Sequence, residues 1–257
     1  MHMIHNTVLL LFSLFVFAFT LFFSFSYAMF KNTKLSFYSK CFAGGVLLST
    51  IIFHIFPDIY TCERCFLAPF SAGISFLILF SIDKLYLQYR DSHGETITKM
   101  NGRLQALIFI CALSVHSFME GLGTSVKTGT GLMWYATGLL GHKWIEAFVV
   151  SVTMHTSSFS RCETLFLLVF YSILTPLGTV LGLVLMNSTY STSRTAELLN
   201  GIACGSFFYI GFIEMLNSEF NHHFSLKKRD QRKIAAVFAG FFTMTIVALG
   251  LSTVFED

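Results

Sequence analysis

Long apolar segments alternate with short polar segments over the whole chain. Eight of the apolar segments are about 20 residues long, the length that a helix needs to cross roughly 30 Å of hydrocarbon. The pattern predicts an all-α membrane protein whose eight transmembrane helices form one bundle, a single domain over residues 1–257. The predicted helices lie near Thr7–Phe30, Cys41–Tyr60, Phe66–Leu87, Leu104–Val126, Gly131–Met154, Leu165–Met186, Leu198–Asn217 and Ile234–Val254.

The composition points to the same class of protein. Hydrophobic residues make up 54% of the chain and charged residues only 12%, whereas soluble domains carry about 25% charged residues. This leaves no segment from which a separate soluble domain could be built. The first apolar segment is longer than the roughly 7–15 residues of a signal-peptide core and no Lys or Arg precedes it, so we expect a retained helix.

Basic residues favour one orientation of the bundle. If the N-terminus lies outside, the loops after helices one, three, five and seven face the cytosol, and they hold most of the 17 Lys and Arg residues. The positive-inside rule therefore predicts that both termini lie outside. The basic run at 227–233 is interpreted as part of this topology signal and not as a nucleic-acid site.

Two features fall in loops predicted to be external. The sequon Asn187-Ser188-Thr189 follows helix six, which makes Asn187 a candidate glycosylation site. Cys62 and Cys65 follow helix two in a C-x-x-C arrangement. A disulfide, a transient metal relay and two free thiols all remain open for this pair.

Two short segments carry the candidate chemistry. His116 precedes Glu120 by four residues, and His142 precedes Glu146 by four. Residues four apart share one face of a helix, so each segment presents an imidazole and a carboxylate together. Two such pairs facing each other would supply two nitrogen and two oxygen donors, a natural four-coordinate site for Zn²⁺ or a related divalent ion.

Other ionisable residues lie at membrane depth, where they are costly and usually functional. We expect His54 and Glu214 to line a transport pathway, although a buried polar contact between helices is the alternative. Asp58 is expected near the outer mouth and Asp83 near the inner end of helix three, where either could instead be an ordinary interfacial residue.

A weak internal similarity relates the second and seventh helices. Residues 45–58 align with residues 205–218 at a constant offset, which places His54 on Glu214. Under the predicted topology these two helices cross the membrane in opposite directions. Such similarity is typical of transporters built from inverted repeats, whose binding site lies near the midplane.

Together these motifs resemble the ZIP family of divalent-metal transporters. The resemblance covers nearly the whole chain, with five motifs in the expected order on the expected helices. They are HSFMEG at 116–121, HKWIEA at 142–147, His54-Ile55-Phe56-Pro57-Asp58 on helix two, Thr175-Pro176-Leu177-Gly178 on helix six, and Glu214 on helix seven.

The resemblance implies a function and a site. It implies influx of a divalent metal, Zn²⁺ in first place, toward the cytosol through a site between helices four and five. His116, Glu120 and His142 match the family's primary site, and Glu146 occupies a position that is acidic in some members. The metal is then a transported substrate and no cofactor is expected. The expected partners are the metal and the lipid bilayer, with a homodimer as an option, and no nucleic-acid partner is expected. The plasma membrane is favoured over an organelle membrane.

The resemblance also indicates how many ions are held. Members with a two-metal centre carry an amide and a carboxylate where this chain has Ser117 and Lys143, and an acid on helix six that is absent here. An ammonium group would repel a second dication and could neutralise Glu120 or Glu146 in the empty site. We therefore expect one transported ion, with Lys143 and Ser117 standing where a second would bind.

Three other classes are less well supported by the sequence. An intramembrane zinc hydrolase could use three of the ligands, but the chain has no HExxH motif. An effluxer with paired HxxxD motifs would have six helices and a soluble domain, and a metal-sensing scaffold would bind without transport. Fe²⁺, Mn²⁺ and Cd²⁺ tolerate the same donors as Zn²⁺.

Overall fold

The computed structural model describes residues 2–29, 33–60, 66–92, 98–186, 193–217, 220 and 227–255. These residues form eight helices and contain no β-strand. Each predicted helix overlaps one of them, so the all-α prediction is confirmed. The helices are α1 (His2–Met29), α2 (Thr33–Thr50), α3 (Leu67–Ser92), α4 (Thr98–Ser125), α5 (Gly129–Thr156), α6 (Arg161–Met186), α7 (Ser193–Phe208) and α8 (Lys227–Phe255).

Two of the helices change their hydrogen-bond register before they end. Helix α2 continues through a π-helical turn at Ile51–Ile55 into a last α-helical segment at Phe56–Tyr60, and α7 continues into a π-helical segment at Tyr209–Asn217. His54 lies in the first π-helical segment and Glu214 in the second. Short π-helical segments are rare and are often found at functional sites.

Seven of the described helices are long and apolar enough to cross a membrane. The exception is α5, which was predicted as an apolar span near Gly131–Met154. It carries His142, Lys143 and Glu146 in its middle, and from Gly138 to Met154 most of its residues are buried by other helices. Helix α5 therefore lies at the centre of the bundle, where protein and not lipid surrounds its polar side chains.

The helices pair in a symmetric way. Helix α2 packs on α8 and α3 on α7, while α4 packs on α6 and α1 on α5. Exchanging α1 with α6, α2 with α7, α3 with α8 and α4 with α5 leaves this set of pairs unchanged. This is the pairing expected of two structural repeats that flank α4 and α5.

Two glycines occupy equivalent places in the α2–α8 and α3–α7 pairs. A Cβ atom on Gly45 of α2 would lie 2.0 Å from the backbone oxygen of Val237 on α8. A Cβ atom on Gly205 of α7 would lie 2.1 Å from the backbone oxygen of Ala72 on α3. The sequence similarity pairs Gly45 with Gly205, so the α2–α8 and α3–α7 contacts each have a glycine where two helix backbones meet.

Candidate metal site

The two predicted His/Glu pairs face each other across the interface of α4 and α5. His116 and Glu120 come from α4, and His142 and Glu146 come from α5. One ligand atom from each residue lies within 4.8 Å of the other three, and all four side chains are buried. The i, i+4 spacing has this effect because it stacks each pair on the face that meets the other helix. We call these four residues the α4–α5 cluster.

The distances in the α4–α5 cluster suit a small four-coordinate ion. The Nε2 atom of His116 lies 3.5 Å from Oε1 of Glu146, and Nε2 of His142 lies 3.8 Å from the same oxygen. Oε1 of Glu120 lies 4.0 Å from Nε2 of His116 and 2.7 Å from Nε2 of His142. Tetrahedral Zn²⁺ with bonds near 2.0–2.2 Å separates its donors by roughly 3.3 Å. Small side-chain movements would therefore complete the site.

Lys143 lies beside the cluster and contacts both carboxylates. Its fully buried ammonium group donates to Oε2 of Glu120 at 2.7 Å and to Oε2 of Glu146 at 3.1 Å. It also donates to Oγ of Ser117 at 2.9 Å. The ammonium group thus offsets two buried negative charges and leaves the two Oε1 atoms facing the imidazoles.

The ring of His116 is oriented by its surroundings. Nδ1 of His116 lies 3.1 Å from the backbone oxygen of Ala203 on α7, and the ring packs against Phe207. A proton on Nδ1 leaves Nε2 as the atom with a free lone pair. Among the described residues, Nε2 of His116 and Oε1 of Glu146 are buried without a hydrogen-bond partner. Unsatisfied buried atoms that converge on one point are typical of a ligand site.

A cavity of about 40 Å³ opens from the cluster. His54 lies in its wall, with its ring centre 6.4 Å from that of His142. Gly138 makes room for this ring, since a Cβ atom there would lie 2.2 Å from it. A cavity of this size can hold an ion or water beside polar groups. The residues around it are His54, Ile55, His116, Glu120, Tyr135, His142, Asn200 and Ala203.

Comparison with known proteins identifies the family. The family model described as ZIP Zinc transporter matches residues 88–248, well over half of the chain and all of the α4–α5 cluster. The chain belongs to the ZIP family. Membership agrees with the resemblance carried by the motifs, and the family consists of transporters and not enzymes.

Individual relatives differ in how much of their length they share with this ZIP chain. Human zinc transporter ZIP1 is 26% identical over 251 residues, covering 80% of this chain and 76% of ZIP1. Human zinc transporter ZIP2 is 30% identical over 162 residues, covering 62% of this chain and 51% of ZIP2. Protein zntD of Dictyostelium discoideum is 32% identical over 142 residues, covering 52% of this chain. The matched region spans about a fifth of zntD and about a third of zntC from the same organism.

The predicted pathway residues of this ZIP chain occupy two separate places. His54 borders the cluster, as described above. Glu214 lies elsewhere, and Asp83, Lys40 and Lys84 all interact with it electrostatically. The hydroxyl of Tyr209 donates to Oε1 of Glu214 at 3.3 Å. We call Asp83 and Glu214 the α3–α7 acidic pair.

Some predicted residues cannot be placed. Asn187, Cys62 and Cys65 fall outside the described residues. Asp58 lies in the last helical segment that follows α2, and only its backbone is described. The glycosylation site, the state of the cysteine pair and a role for Asp58 at the outer mouth therefore stay predictions.

Sequence reasoning missed three residues close to the site. Tyr171 of α6 donates its hydroxyl to Oε2 of Glu146 at 2.8 Å and is fully buried. Tyr135 donates to the backbone oxygen of Glu120 at 3.1 Å. Asn200 of α7 borders the cavity. No spacing rule links any of them to the His/Glu pairs, because each contact depends on how the helices pack.

Proposed function

We propose that this chain carries a divalent metal ion, Zn²⁺ in first place, across a membrane into the cytosol. The observation that carries the proposal is the buried convergence of two imidazole nitrogens and two carboxylate oxygens within 4.8 Å. His116, Glu120, His142 and Glu146 are the proposed ligands, and the ion is substrate. The names of the relatives ZIP1 and ZIP2 support zinc as the ion carried here.

The donor set supports Zn²⁺ over other ions. Imidazole nitrogen and carboxylate oxygen in equal number suit Zn²⁺, and the spacing of the donors suits its tetrahedral preference. Fe²⁺, Mn²⁺ and Cd²⁺ accept the same donor types and are the alternatives. An intramembrane hydrolase would use His116, Glu120 and His142 as ligands and Glu146 as general base. It is disfavoured because Oε2 of Glu146 already accepts from Lys143 and Tyr171.

A single ion is the proposed occupancy. The space beside Glu120 and Glu146 is taken by the ammonium group of Lys143, which Ser117 also holds. A second dication there would meet a fixed positive charge at contact distance, and Coulomb repulsion between such charges is large when water is excluded. Ser117 and Lys143 are therefore proposed to occupy the place where a second metal would bind.

Orientation and setting are part of the same proposal. The distribution of Lys and Arg supports external termini, with α2 and α7 crossing in opposite directions as inverted repeats. Under this topology His54 lies on the entry side and the α3–α7 acidic pair on the exit side of the path. The plasma membrane is the proposed location and a homodimer the proposed assembly.

Uptake of radioactive Zn²⁺ by cells expressing the chain tests the proposal. The variant is Glu120→Ala, which removes a proposed ligand. The matched control is Glu163→Ala, which removes an exposed carboxylate outside the site that pairs with Arg103 and accepts from the backbone of Ser160 at the start of α6. At equal surface levels, zinc uptake should fall to background for Glu120→Ala and persist for Glu163→Ala. Uptake at the wild-type level in Glu120→Ala would refute the assignment.

A further inference from the structure

The two oxygens of each carboxylate in the cluster have different surroundings. The Oε1 atoms of Glu120 and Glu146 lie 2.7–4.0 Å from the Nε2 atoms of the histidines. The Oε2 atoms of both face Lys143. Oε2 of each glutamate therefore contacts Lys143 and Oε1 faces the histidines, with Oε1 of Glu120 hydrogen-bonded to Nε2 of His142.

Glu146 differs from Glu120 in having a second donor on its Oε2 atom. The hydroxyl of Tyr171 reaches that atom from α6 at 2.8 Å, while the contact of Lys143 with it is the longer of the two carboxylate contacts, at 3.1 Å against 2.7 Å. Tyr171 is fully buried, and the ammonium of Lys143 lies 5.6 Å from the centre of its ring. The hydroxyl of Tyr171 thus bonds to Oε2 of Glu146, and its ring packs against the ammonium group of Lys143, which bonds to the same oxygen.

We propose that Tyr171 is a specificity-determining residue that keeps Glu146 monodentate and so limits the ion to four protein donors. This inference rests on the proposed metal site. With Oε2 of Glu146 bonded to the phenol and the ammonium, only Oε1 is free to bind the ion. Two monodentate carboxylates and two imidazoles make a four-donor shell.

A four-donor shell selects among divalent ions by coordination number. Zn²⁺ is stable with four ligands, whereas Mn²⁺ favours six, mostly oxygen. Without the hydroxyl of Tyr171, only the longer contact from Lys143 would hold Oε2 of Glu146. That oxygen could then join the shell and raise the number of donors, which favours Mn²⁺ relative to Zn²⁺.

The test is Tyr171→Phe, which removes one oxygen atom and keeps the ring. The matched control is Tyr27→Phe, another buried tyrosine, whose ring packs on Phe148 and His155 away from the cluster. Uptake of radioactive Zn²⁺ and Mn²⁺ is measured separately in cells at matched surface levels. The Mn²⁺/Zn²⁺ uptake ratio should rise roughly three- to tenfold for Tyr171→Phe, about what one hydrogen bond is worth, and stay unchanged for Tyr27→Phe.

X-ray absorption on purified, zinc-loaded protein supplies a readout that a purely structural role would not change. The wild-type shell should contain four nitrogen and oxygen donors, and the shell of Tyr171→Phe more than four. An unchanged uptake ratio with an unchanged shell would overturn the inference. If Tyr171→Phe does not reach the membrane, X-ray absorption on the wild type still tests the inference. A zinc shell of more than four donors would refute monodentate binding by Glu146. Absence of any metal uptake by the wild type would instead refute the proposed function.

Discussion

The α4–α5 cluster and the α3–α7 acidic pair both place two carboxylates near lysine side chains, but the lysines differ in burial. In the cluster, Lys143 is fully buried and within 3.1 Å of both carboxylates. At the acidic pair, the side chain of Lys84 is 46% exposed and its ammonium lies 3.6 Å from Oδ2 of Asp83. The groups that act on Glu214 include Asp83, Lys40, Lys84 and Tyr209.

The difference separates two tasks that a transport path requires. A site that strips water from an ion needs donors fixed in advance, and buried groups held by hydrogen bonds provide them. A place that the ion only passes needs charge without tight coordination, because conduction requires binding weak enough to leave. We propose that the cluster has the first character and the α3–α7 acidic pair the second.

The largest expected effect is the loss of a nitrogen ligand from the cluster. His116→Ala should reduce zinc uptake to near background, since the remaining donors neutralise the ion but no longer complete its shell. Asp83→Asn, made in the acidic pair, should leave most of the uptake. Zinc uptake at matched surface levels measures both. Equal losses in the two variants would mean that the two regions do not differ in task.

The two lysines should differ strongly in their effect on stability. Lys143→Met leaves two carboxylates buried without their cation, and removing one partner of a buried ion pair costs about 3–5 kcal/mol. Lys84→Met removes an exposed partner, which is worth about 1 kcal/mol or less.

Thermal unfolding of purified protein in the absence and presence of Zn²⁺ checks this prediction. The unfolding temperature of metal-free Lys143→Met should fall well below that of Lys84→Met. Added Zn²⁺ should restore more of the lost stability in Lys143→Met than it adds to the wild type, because the ion replaces the missing positive charge. Equal responses of the two variants to Zn²⁺ would contradict the role of Lys143 as counter-ion.

A smaller and different effect is expected at Glu214. Glu214→Gln should lower the maximal rate of zinc uptake several-fold while the concentration for half-maximal uptake stays nearly constant, because Glu214 is not a proposed ligand. Glu146→Gln should instead raise the half-maximal concentration. Concentration series of uptake for both variants separate the two behaviours. A large affinity change in Glu214→Gln would place this residue with the ligands.

The smallest effect concerns the wall of the cavity. Gly138→Ala should push the ring of His54 aside, since the added Cβ would lie 2.2 Å from it, and lower zinc uptake about two- to threefold. Gly131→Ala on the same helix is the control, because nothing lies within 4 Å of a Cβ there. Both variants are compared by uptake at matched surface levels. Identical uptake would show that the position of His54 does not matter for entry.

The length of the apolar segments was enough to predict the helices, but not the π-helical segments in two of them. Each predicted segment overlaps a described helix, because apolar segments about 20 residues long have few other stable structures in a membrane. The π-helical segments at Ile51–Ile55 and Tyr209–Asn217 were not predicted from the apolar pattern. A change from i→i+4 to i→i+5 bonding depends on what the neighbouring helices require, which a single segment does not encode.

The site was predictable to the extent that it follows from local spacing. The i, i+4 rule places His116 with Glu120 and His142 with Glu146, and the structure brings the two pairs together. Tyr171 and Glu146, by contrast, lie on different helices and are 25 positions apart in the chain. A tyrosine in an apolar helix is common, so only the packing of α6 beside α5 reveals it.

The polar centre of α5 affects how the chain is inserted during synthesis. A lysine in the middle of a spanning helix opposes insertion by about 2.5–3.5 kcal/mol, and α5 carries Lys143 there. Only residues 126–128 separate the end of α4 from the start of α5. If the two helices leave the translocon as a hairpin, Lys143 can meet Glu120 before either group faces lipid. In that case the insertion of α5 depends on α4, and Glu120, a proposed ligand of the finished site, acts first as an insertion partner of Lys143.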